Sequence, residues 1–188
     1  MSCRAFFESL AAGEVVSARA ELIDARHPKA ECEAESVSAY SKGVVTNEEY
    51  IHRYVFSPLH IHDGKILPAL FSDAKDKGLS CERSDSLTPC NELHSRGAAQ
   101  VETFNAKRKE SQPARSYIGA ITSRASTIRA LMVANERAYG VYDTALETNT
   151  AHIDVFELHS AFKNLTKSQQ KLERLRLSEA FTDVPVTP

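Results

Sequence analysis

Helix-type hydrophobic patterns lie at both ends of this chain and enclose a middle region of short β-type runs. Between residues 3 and 26, apolar side chains such as Phe6, Leu10 and Ile23 recur near helical spacing. Between residues 50 and 158, the apolar segments are shorter and are richer in aromatic and β-branched residues. This segregation predicts an α+β domain, a mixed or antiparallel sheet flanked by N- and C-terminal helices. The pattern leaves the order of the strands open.

The chain has 188 residues, which fits a single domain. Hydrophobic residues make up 42% and charged residues 26%, so the composition allows an ordinary buried core. A domain of this size buries about 70% of the surface that its unfolded chain exposes. We divide it into an N-terminal helical segment (1–45), a sheet-containing body (46–158) and a C-terminal helix (159–182).

Two capping-box patterns and one proline mark starts of secondary structure. Thr166 to Gln169 precedes an amphipathic pattern and predicts the start of the last helix. Thr88-Pro89 predicts a second helix start, with a hydroxyl cap followed by proline. Thr46 to Glu49 has the same capping-box form, but the residues that follow it favour a strand. Five runs are predicted as strands: 50–56, 79–83, 117–122, 139–145 and 152–158.

Four further segments are assigned with their alternatives. Pro68 limits the run 66–71 to an edge strand or a short extended piece. Residues 127–138 favour a helix, and residues 29–42 favour a short acidic helix or a mobile surface segment. The charged segment 107–113 ends in proline and predicts an exposed loop, a candidate contact for a protein partner.

Charge and cysteine usage limit the class of protein. The net charge of −2 and the pI of about 6.4 argue against a nucleic-acid binder, which usually has a basic face. No run is long and apolar enough to span a membrane, and Arg4 and Glu8 interrupt any signal peptide. The four cysteines contain no C-x-x-C pair. We therefore expect free thiols and a cytoplasmic protein.

The segment Leu59 to Lys65, with the sequence LHIHDGK, carries the most suggestive chemistry. In an extended strand, His60 and His62 share one face because successive side chains alternate. Asp63-Gly64 then favours a turn that places a carboxylate beside the two imidazoles. Imidazoles next to an acid are suited to proton transfer or to metal binding.

A second pair of such groups lies in the last predicted strand. Alternation places His152 and Asp154 on the face opposite Ile153. If the three strands are neighbours, the imidazoles and acids of both segments converge on one pocket. The candidate catalytic residues are then His60, His62, His152 and Asp154. The candidate ligand-binding residues are Arg53, Asp63 and Arg83. The metal and the cofactor stay unassigned, because two histidines supply too few ligands for a divalent ion.

Each of these residues also fits a structural role. A histidine on a strand is more often hydrogen-bonded in the structure than used as a ligand, and Asp63 fits a turn residue. Arg83 fits a surface ion pair with Asp85 or Glu82. Ser80 has no local sequence pattern around it that supports a Ser-His-Asp triad.

Two segments resemble parts of a loosely defined group of small uncharacterised bacterial proteins. The first is Leu67 to Arg83, LPALFSDAKDKGLSCER, with a Leu-Ser-x-x-Arg motif. The second is Tyr142 to Asp154, YDTALETNTAHID, with an Asn-x-Ala-His motif. The resemblance implies a bacterial and cytoplasmic origin, and some members of the group look like cargo of defence loci. It implies no activity.

Two functions follow as hypotheses. In the first, the His/Asp/Arg pocket binds or processes a phosphorylated or nucleotide-like ligand, with Arg83 making a bidentate contact to its anionic group. In the second, the chain is a non-enzymatic interaction subunit of a bacterial defence or toxin–antitoxin complex. The terminal helices or the 107–113 loop then carry the contacts.

Overall fold

A five-stranded antiparallel sheet forms the centre of the protein. The computed structural model describes residues 1–12, 17–182 and 184–188. The strands of the sheet are β1 (Tyr50–Ser57), β4 (Leu79–Ser84), β5 (Ser116–Arg124), β8 (Tyr139–Tyr142) and β9 (His152–Glu157). Their order is β5–β1–β4–β9–β8. Two short hairpins stand apart from this sheet, β2 (Ile61–His62) with β3 (Lys65–Ile66) and β6 (Met132–Val133) with β7 (Glu136–Arg137).

Helices cover both faces of the sheet, and the α+β fold predicted from the sequence is confirmed. The α-helices of the described residues are α1 (Cys3–Ala12), α2 (Arg19–Arg26), α3 (Asn91–Lys107), α4 (Ala125–Arg129), α5 (His159–Phe162) and α6 (Lys167–Glu179). Two 3-10 segments, Pro28–Ala34 and Pro68–Lys75, complete the helical structure. Across the described ranges, no helix combines the length and the apolar composition needed to cross a bilayer.

The larger core lies on one face of the sheet. Ile51, Leu79, Ile153 and Val155 point to this face and are completely buried. They pack against apolar side chains of the Pro68–Lys75 segment, α4, α5 and α6, including Phe71, Ile128, Phe162 and Leu177. Burial of a side chain of this size contributes roughly 1.5–3 kcal/mol, so this face dominates the stability of the fold.

Two smaller cores lie on the opposite face. α1, α2 and the Pro28–Ala34 segment pack on Tyr142 and Phe156, at the β8–β9 side of the sheet. α3 packs through Leu93 on Tyr54 and Phe56, at the β5–β1 side. The groups that cover this face are therefore divided between its two sides, and β4 lies between them in the order of the strands.

All five predicted strands are present, but two neighbouring assignments were wrong. Residues 127–138 do not form one helix: α4 ends at Arg129, and the β6–β7 hairpin follows. Its turn residues Ala134 and Asn135 have positive φ values of 49° and 67°, the conformation that a two-residue hairpin turn requires. Pro68 begins a 3-10 segment and not an edge strand, because proline suits the first helical position.

The helix predictions differ from the structure mainly at their boundaries. The pattern from Cys3 to Arg26 forms two helices, and Ala18 takes a left-handed conformation just before α2. Glycine disfavours a helix interior, which predicts a weak point at Gly13 in this pattern, but Gly13 lies outside the described residues. α3 begins at Asn91, two residues beyond Thr88-Pro89.

Both capping-box patterns form bonds. At Thr166, the side chain accepts from the Gln169 backbone N–H, and the Gln169 side chain accepts from the Thr166 backbone N–H. At the other pattern, Thr46 donates its backbone N–H to Glu49 Oε2 at 2.6 Å, although a strand follows. Half of a capping box therefore forms without a helix behind it.

The expectation that all four cysteines are free thiols was wrong. Cys3 in α1 and Cys32 in the Pro28–Ala34 segment form a disulfide, while Cys81 and Cys90 are free. The partners are 29 residues apart, so no short sequence motif connects them. They meet because α1 and the 3-10 segment pack in the same small core.

Gly119 in β5 provides a test of the close packing of the C-terminal segment. Its φ is +142°, and a Cβ there would overlap the backbone oxygen of Val186, which bonds to Ala120. We expect Gly119→Ala to lower the free energy of unfolding by about 2 kcal/mol in urea denaturation, through strain and overlap together. Gly43→Ala is the control, because Gly43 also has a positive φ but open space around it. Equal losses in both variants would contradict the close contact with Val186.

Glu157 makes the stability depend on pH. Burial raises the pKa of this carboxyl to about 7, and Arg174 and Lys75 offset only part of the shift. The folded state therefore holds a proton between pH 4.5 and 7 that the unfolded state has lost, so stability falls as pH rises through this window. We expect the free energy of unfolding of Glu157→Gln, relative to that of wild type, to rise by about 3 kcal/mol between pH 4.5 and pH 8 in urea denaturation. Glu110→Gln, on the exposed 107–113 loop, controls for the loss of a negative charge. An unchanged pH dependence in Glu157→Gln would contradict this assignment.

Candidate functional site

The register between β4 and β9 brings polar side chains together on one face of the sheet. Ser80 pairs with Asp154, and Glu82 pairs with His152. Directly opposite residues of an antiparallel pair project from the same face, so Ser80, His152 and Asp154 form one group. Their neighbours Ile153 and Leu79 project into the larger core.

A pocket of about 750 Å³ lies above this group. The sheet forms its floor, the N-terminal segment forms one wall, and the loop 143–147 contributes to the rim. Its apolar lining includes Phe7, Leu10, Ile23, Val37 and Phe156. Its polar lining includes Ser80, Thr144, His152 and Asp154. Concave sites with mainly apolar walls and a few convergent polar groups are the usual form of a small-molecule site.

Ser80 and His152 are joined by a short hydrogen bond. Ser80 Oγ lies 2.6 Å from His152 Nε2. On the other side of the ring, Nδ1 lies 3.0 Å from the backbone oxygen of Thr144 and 3.1 Å from its hydroxyl. A carbonyl oxygen accepts and cannot donate, so Nδ1 carries the proton in the neutral ring. Nε2 is then the acceptor, and the Ser80 hydroxyl is the donor.

Asp154 positions Thr144, the residue that contacts Nδ1 of the imidazole. Its Oδ2 accepts the Thr144 hydroxyl at 2.9 Å, and its Oδ1 lies 4.0 Å from His152 Nε2. The carboxylate therefore orients Thr144, and Thr144 orients the imidazole. A nucleophile bonded to a base that is itself oriented by a third group is the arrangement of nucleophilic catalysis. Here a backbone carbonyl takes the place of the acid in a Ser-His-Asp triad.

The strand that carries Ser80 is held from the neighbouring strand β1. Arg53 donates from Nη1 to the backbone oxygen of Ser80 at 2.5 Å. The Ser80 side chain itself is exposed, because it opens into the pocket. Arg53 thus supports the backbone of the candidate nucleophile and does not line the pocket with the residues described above.

Acidic side chains outnumber basic ones around the pocket. The acids that line it are Glu8, Asp73, Glu147 and Asp154, and the bases are Arg19 and Lys77. Lys77 Nζ lies 3.4 Å from Asp73 Oδ2, so this cation forms an ion pair within the lining of the pocket. This balance favours an uncharged or cationic ligand over an anionic one.

A buried carboxylate stabilises the sheet beside His152. Glu82, only 2% exposed, accepts from Arg96 Nε at 3.0 Å, from Asn149 Nδ2 at 2.8 Å and from the Tyr54 hydroxyl. Burial, together with this carboxylate, raises the pKa of Tyr54. The bond to Asn149 connects the β4 strand to the loop that precedes His152. A buried network with its partners in place fixes one arrangement of these elements.

The structure does not bring His60 and His62 into the pocket with His152. His60 is buried at the end of β1, where its Nδ1 accepts the Phe56 N–H at 3.1 Å and its ring packs on Phe56. Burial lowers the pKa of His60 to about 4. His62 is exposed on the β2–β3 hairpin, and its Nε2 lies 3.4 Å from Asp63 Oδ2. The convergence expected from alternation fails because the chain turns after β1 and places the two imidazoles in different surroundings.

Asp63 and Arg83 also lie outside this pocket. Asp63 has a positive φ of 49° in the hairpin turn, which is the structural role weighed for it. Arg83 donates to the Gly43 oxygen at 2.7 Å and lies 3.7 Å from Glu49 and 4.0 Å from Asp143. These contacts connect β4 to the chain before β1 and to the loop after β8, and they differ from the expected pairs with Asp85 or Glu82.

Ser80 and Thr144 are not predicted as site residues by the sequence. No local pattern around Ser80 supports a Ser-His-Asp triad, and Thr144 carries no signal of its own. The alternation in 79–83 and 152–158 does place Ser80 and His152 on the polar faces of two strands. The missing information was the pairing of β4 with β9, 72 residues apart along the chain.

Comparisons with family models, with curated proteins and with solved structures found no match to this chain. The function of this chain is therefore inferred from the geometry of its own residues.

The tautomer of His152 is a direct test of this geometry. We expect the neutral ring to carry its proton on Nδ1, because the Thr144 carbonyl can only accept. Long-range proton–nitrogen NMR correlations distinguish the two tautomers, and His152→Gln identifies the signal. A proton on Nε2 would mean that Ser80 does not donate to this ring.

Proposed function

We propose that this protein is a hydrolase that uses Ser80 as nucleophile and His152 as general base on an ester or related acyl substrate. The observation that carries the proposal is the 2.6 Å contact between Ser80 Oγ and His152 Nε2 at the floor of the 750 Å³ pocket. In an acyl-transfer reaction, a base at this distance can take the proton that the attacking hydroxyl loses.

The reaction divides into two balanced steps. Ser80 Oγ attacks the carbonyl carbon, its proton passes to His152 Nε2, and the leaving alcohol takes that proton as the acyl–serine forms. A water molecule then attacks the acyl group, gives its proton to the same nitrogen and releases the acid, and Ser80 regains its proton. The Thr144 carbonyl accepts from Nδ1 throughout and stabilises the imidazolium that forms in each step.

The lining of the pocket limits the substrate. Phe7, Leu10 and Phe156 offer an apolar wall that suits an alkyl or aryl acyl group. The excess of acids disfavours a second negative charge on the substrate. We therefore propose an uncharged acyl ester, and the phosphorylated or nucleotide-like ligand expected from the sequence stays a prediction without support from this pocket.

Activity toward chromogenic esters tests the proposal. We expect wild type to hydrolyse p-nitrophenyl esters, with medium-chain acyl groups preferred over acetate. Ser80→Ala and His152→Ala should each lower kcat by about 100-fold or more, since a general base contributes about 10²–10⁴-fold. A fluorophosphonate should label Ser80 with loss of fluoride, detected by intact mass and peptide mapping.

Matched controls lie elsewhere on the surface. Ser111→Ala on the exposed 107–113 loop and His62→Ala on the β2–β3 hairpin should leave both hydrolysis and labelling unchanged. Folding of every variant is checked by circular dichroism. If Ser80→Ala keeps full activity, or if the probe labels another residue, the proposal is wrong.

A protein-interaction role is the second candidate. Leu172 and Leu175 of α6 are 55% and 40% exposed, on the helical layer opposite the pocket. The residues of the 107–113 loop are exposed as expected for a partner contact. Under this second function, Ser80→Ala would be silent, and Leu172→Asp with Leu175→Asp would abolish binding of the partner. A bacterial defence complex and a cytoplasmic location stay predictions from the sequence.

A further inference from the structure

A second group of reactive side chains lies in the small core that holds α1. Cys3, His27 and Cys32 are all buried, and their sulfur and nitrogen atoms lie within 4.8 Å of one another. Glu31 comes from the exposed side, where its Oε2 lies 3.6 Å from His27 Nδ1. Two thiols, an imidazole and a carboxylate are all ligand types found in zinc sites.

Two distances in this group match the edges of a tetrahedral zinc site. With Zn–S near 2.3 Å and Zn–N or Zn–O near 2.0–2.2 Å, a tetrahedron has S···N edges of about 3.6 Å and N···O edges of about 3.4 Å. Cys3 Sγ lies 3.7 Å from His27 Nδ1, and Glu31 Oε2 lies 3.6 Å from the same nitrogen. A third edge is the sulfur pair, which is joined as a disulfide in this structure. Glu31 lies at the margin of the group, so its carboxylate must move toward the sulfur atoms to complete the site.

His27 is poorly explained as a structural residue. It is 7% exposed, and its Nε2 has no hydrogen-bond partner among the described residues. Its Nδ1 faces the Cys3 sulfur and the Glu31 carboxylate, as the nitrogen of a zinc ligand would. The unpaired atom is Nε2, and zinc bound at Nδ1 would not supply its partner.

We propose that the reduced protein binds one zinc ion through Cys3, His27, Cys32 and Glu31, and that the Cys3–Cys32 disulfide is the metal-free oxidised state of the same site. The proposal is independent of the hydrolase function, since none of these four side chains lines the pocket with Ser80. The structure shows the oxidised state, in which the sulfur pair cannot bind a metal.

The exchange between the two states is balanced. Two equivalents of a small-molecule thiol such as glutathione reduce the disulfide, which takes up two electrons and two protons, and the thiol becomes its own disulfide. Zinc then replaces the two thiol protons, and His27 binds through its neutral ring. The sulfur atoms must separate to about 3.8 Å, the S···S edge of the tetrahedron.

Either state connects α1 to the Pro28–Ala34 segment. α1 also supplies Phe7 and Leu10 to the wall of the pocket, four and seven residues beyond Cys3. Disulfide and zinc therefore offer two alternative cross-links for the same wall. Such a site suits a protein that meets both oxidising and reducing conditions. The sequence predicted free thiols in a cytoplasmic protein, where disulfides are rare.

Cobalt substitution provides the test. The protein is reduced with a phosphine, and the reductant is then removed under anaerobic conditions. The reduced protein is titrated with Co²⁺. We expect one equivalent to bind, with the sulfur-to-cobalt charge-transfer band and the visible bands of a tetrahedral ion. Zinc should then displace the cobalt. The oxidised protein should show none of these bands.

Variants assign the ligands. Cys3→Ser and His27→Asn should each weaken cobalt binding by more than the roughly 10–100-fold that loss of an outer hydrogen-bond partner costs. Cys90→Ser removes an exposed free cysteine and is the matched control. The comparison of oxidised with reduced wild type does not depend on how the variants fold. Absence of the bands in reduced wild type, or cobalt binding by Cys3→Ser as tight as by wild type, would overturn the proposal.

Discussion

The register between β4 and β9 is the constraint on which the rest of the structure depends. A shift of β9 by one residue against β4 would exchange the two faces of β9. Ile153 and Val155 would then leave the larger core, at a cost of roughly 1.5–3 kcal/mol for each side chain. Burial of these apolar residues therefore fixes the position of Ser80 opposite Asp154, and with it the contact to His152. The apolar side chains on one face of the sheet thus determine the positions of Ser80 and His152 on the opposite face.

The wall of the pocket depends on a different set of contacts. Ser36 donates to Asp143 at 2.8 Å, and Ser38 donates to the Ala145 oxygen at 2.5 Å. These bonds attach the N-terminal segment to the loop that contains Thr144. Because Thr144 orients the imidazole, the N-terminal segment contributes both to the apolar wall and to the geometry of the base. The loop that contains Thr144 therefore helps both to enclose the pocket and to orient the His152 ring.

The fold class was predictable because the periods of the hydrophobic pattern are local. Alternation in 152–158 and helical spacing after Thr166 need no knowledge of distant residues, and both predictions were confirmed. Residues 127–138 failed because the turn at Ala134 and Asn135 is decided by two residues within an otherwise helix-type segment.

The site was only half predictable, because its parts are joined by pairing between distant strands. Alternation identified His152 and Asp154 as a pair on one face, and the structure places both in the pocket. It also proposed His60 and His62, whose surroundings are set by the turn after β1 and by packing on Phe56. Ser80 has no motif, so its role depends on a strand neighbour that no local pattern specifies.

The disulfide shows the same limit at a second place. Cys3 and Cys32 are 29 residues apart, and their contact follows from the packing of α1 on the 3-10 segment. Glu31 and His27 lie near Cys32 in sequence, but only the fold shows that a nitrogen of His27 lies within 4.8 Å of both sulfur atoms. The sequence therefore shows which reactive side chains are present, but it does not show which of them come into contact in the fold.

A crystal structure with an alkyl boronic acid is the most direct test of the central claim, that Ser80 is a nucleophile served by His152. Boronic acids form a tetrahedral adduct with an activated serine, which mimics the acyl-transfer intermediate. The account predicts a covalent bond between boron and Ser80 Oγ, with the alkyl chain against Phe7 and Leu10 and His152 Nε2 within hydrogen-bond distance of the adduct. An empty pocket at saturating inhibitor, or an adduct on any other residue, would contradict it.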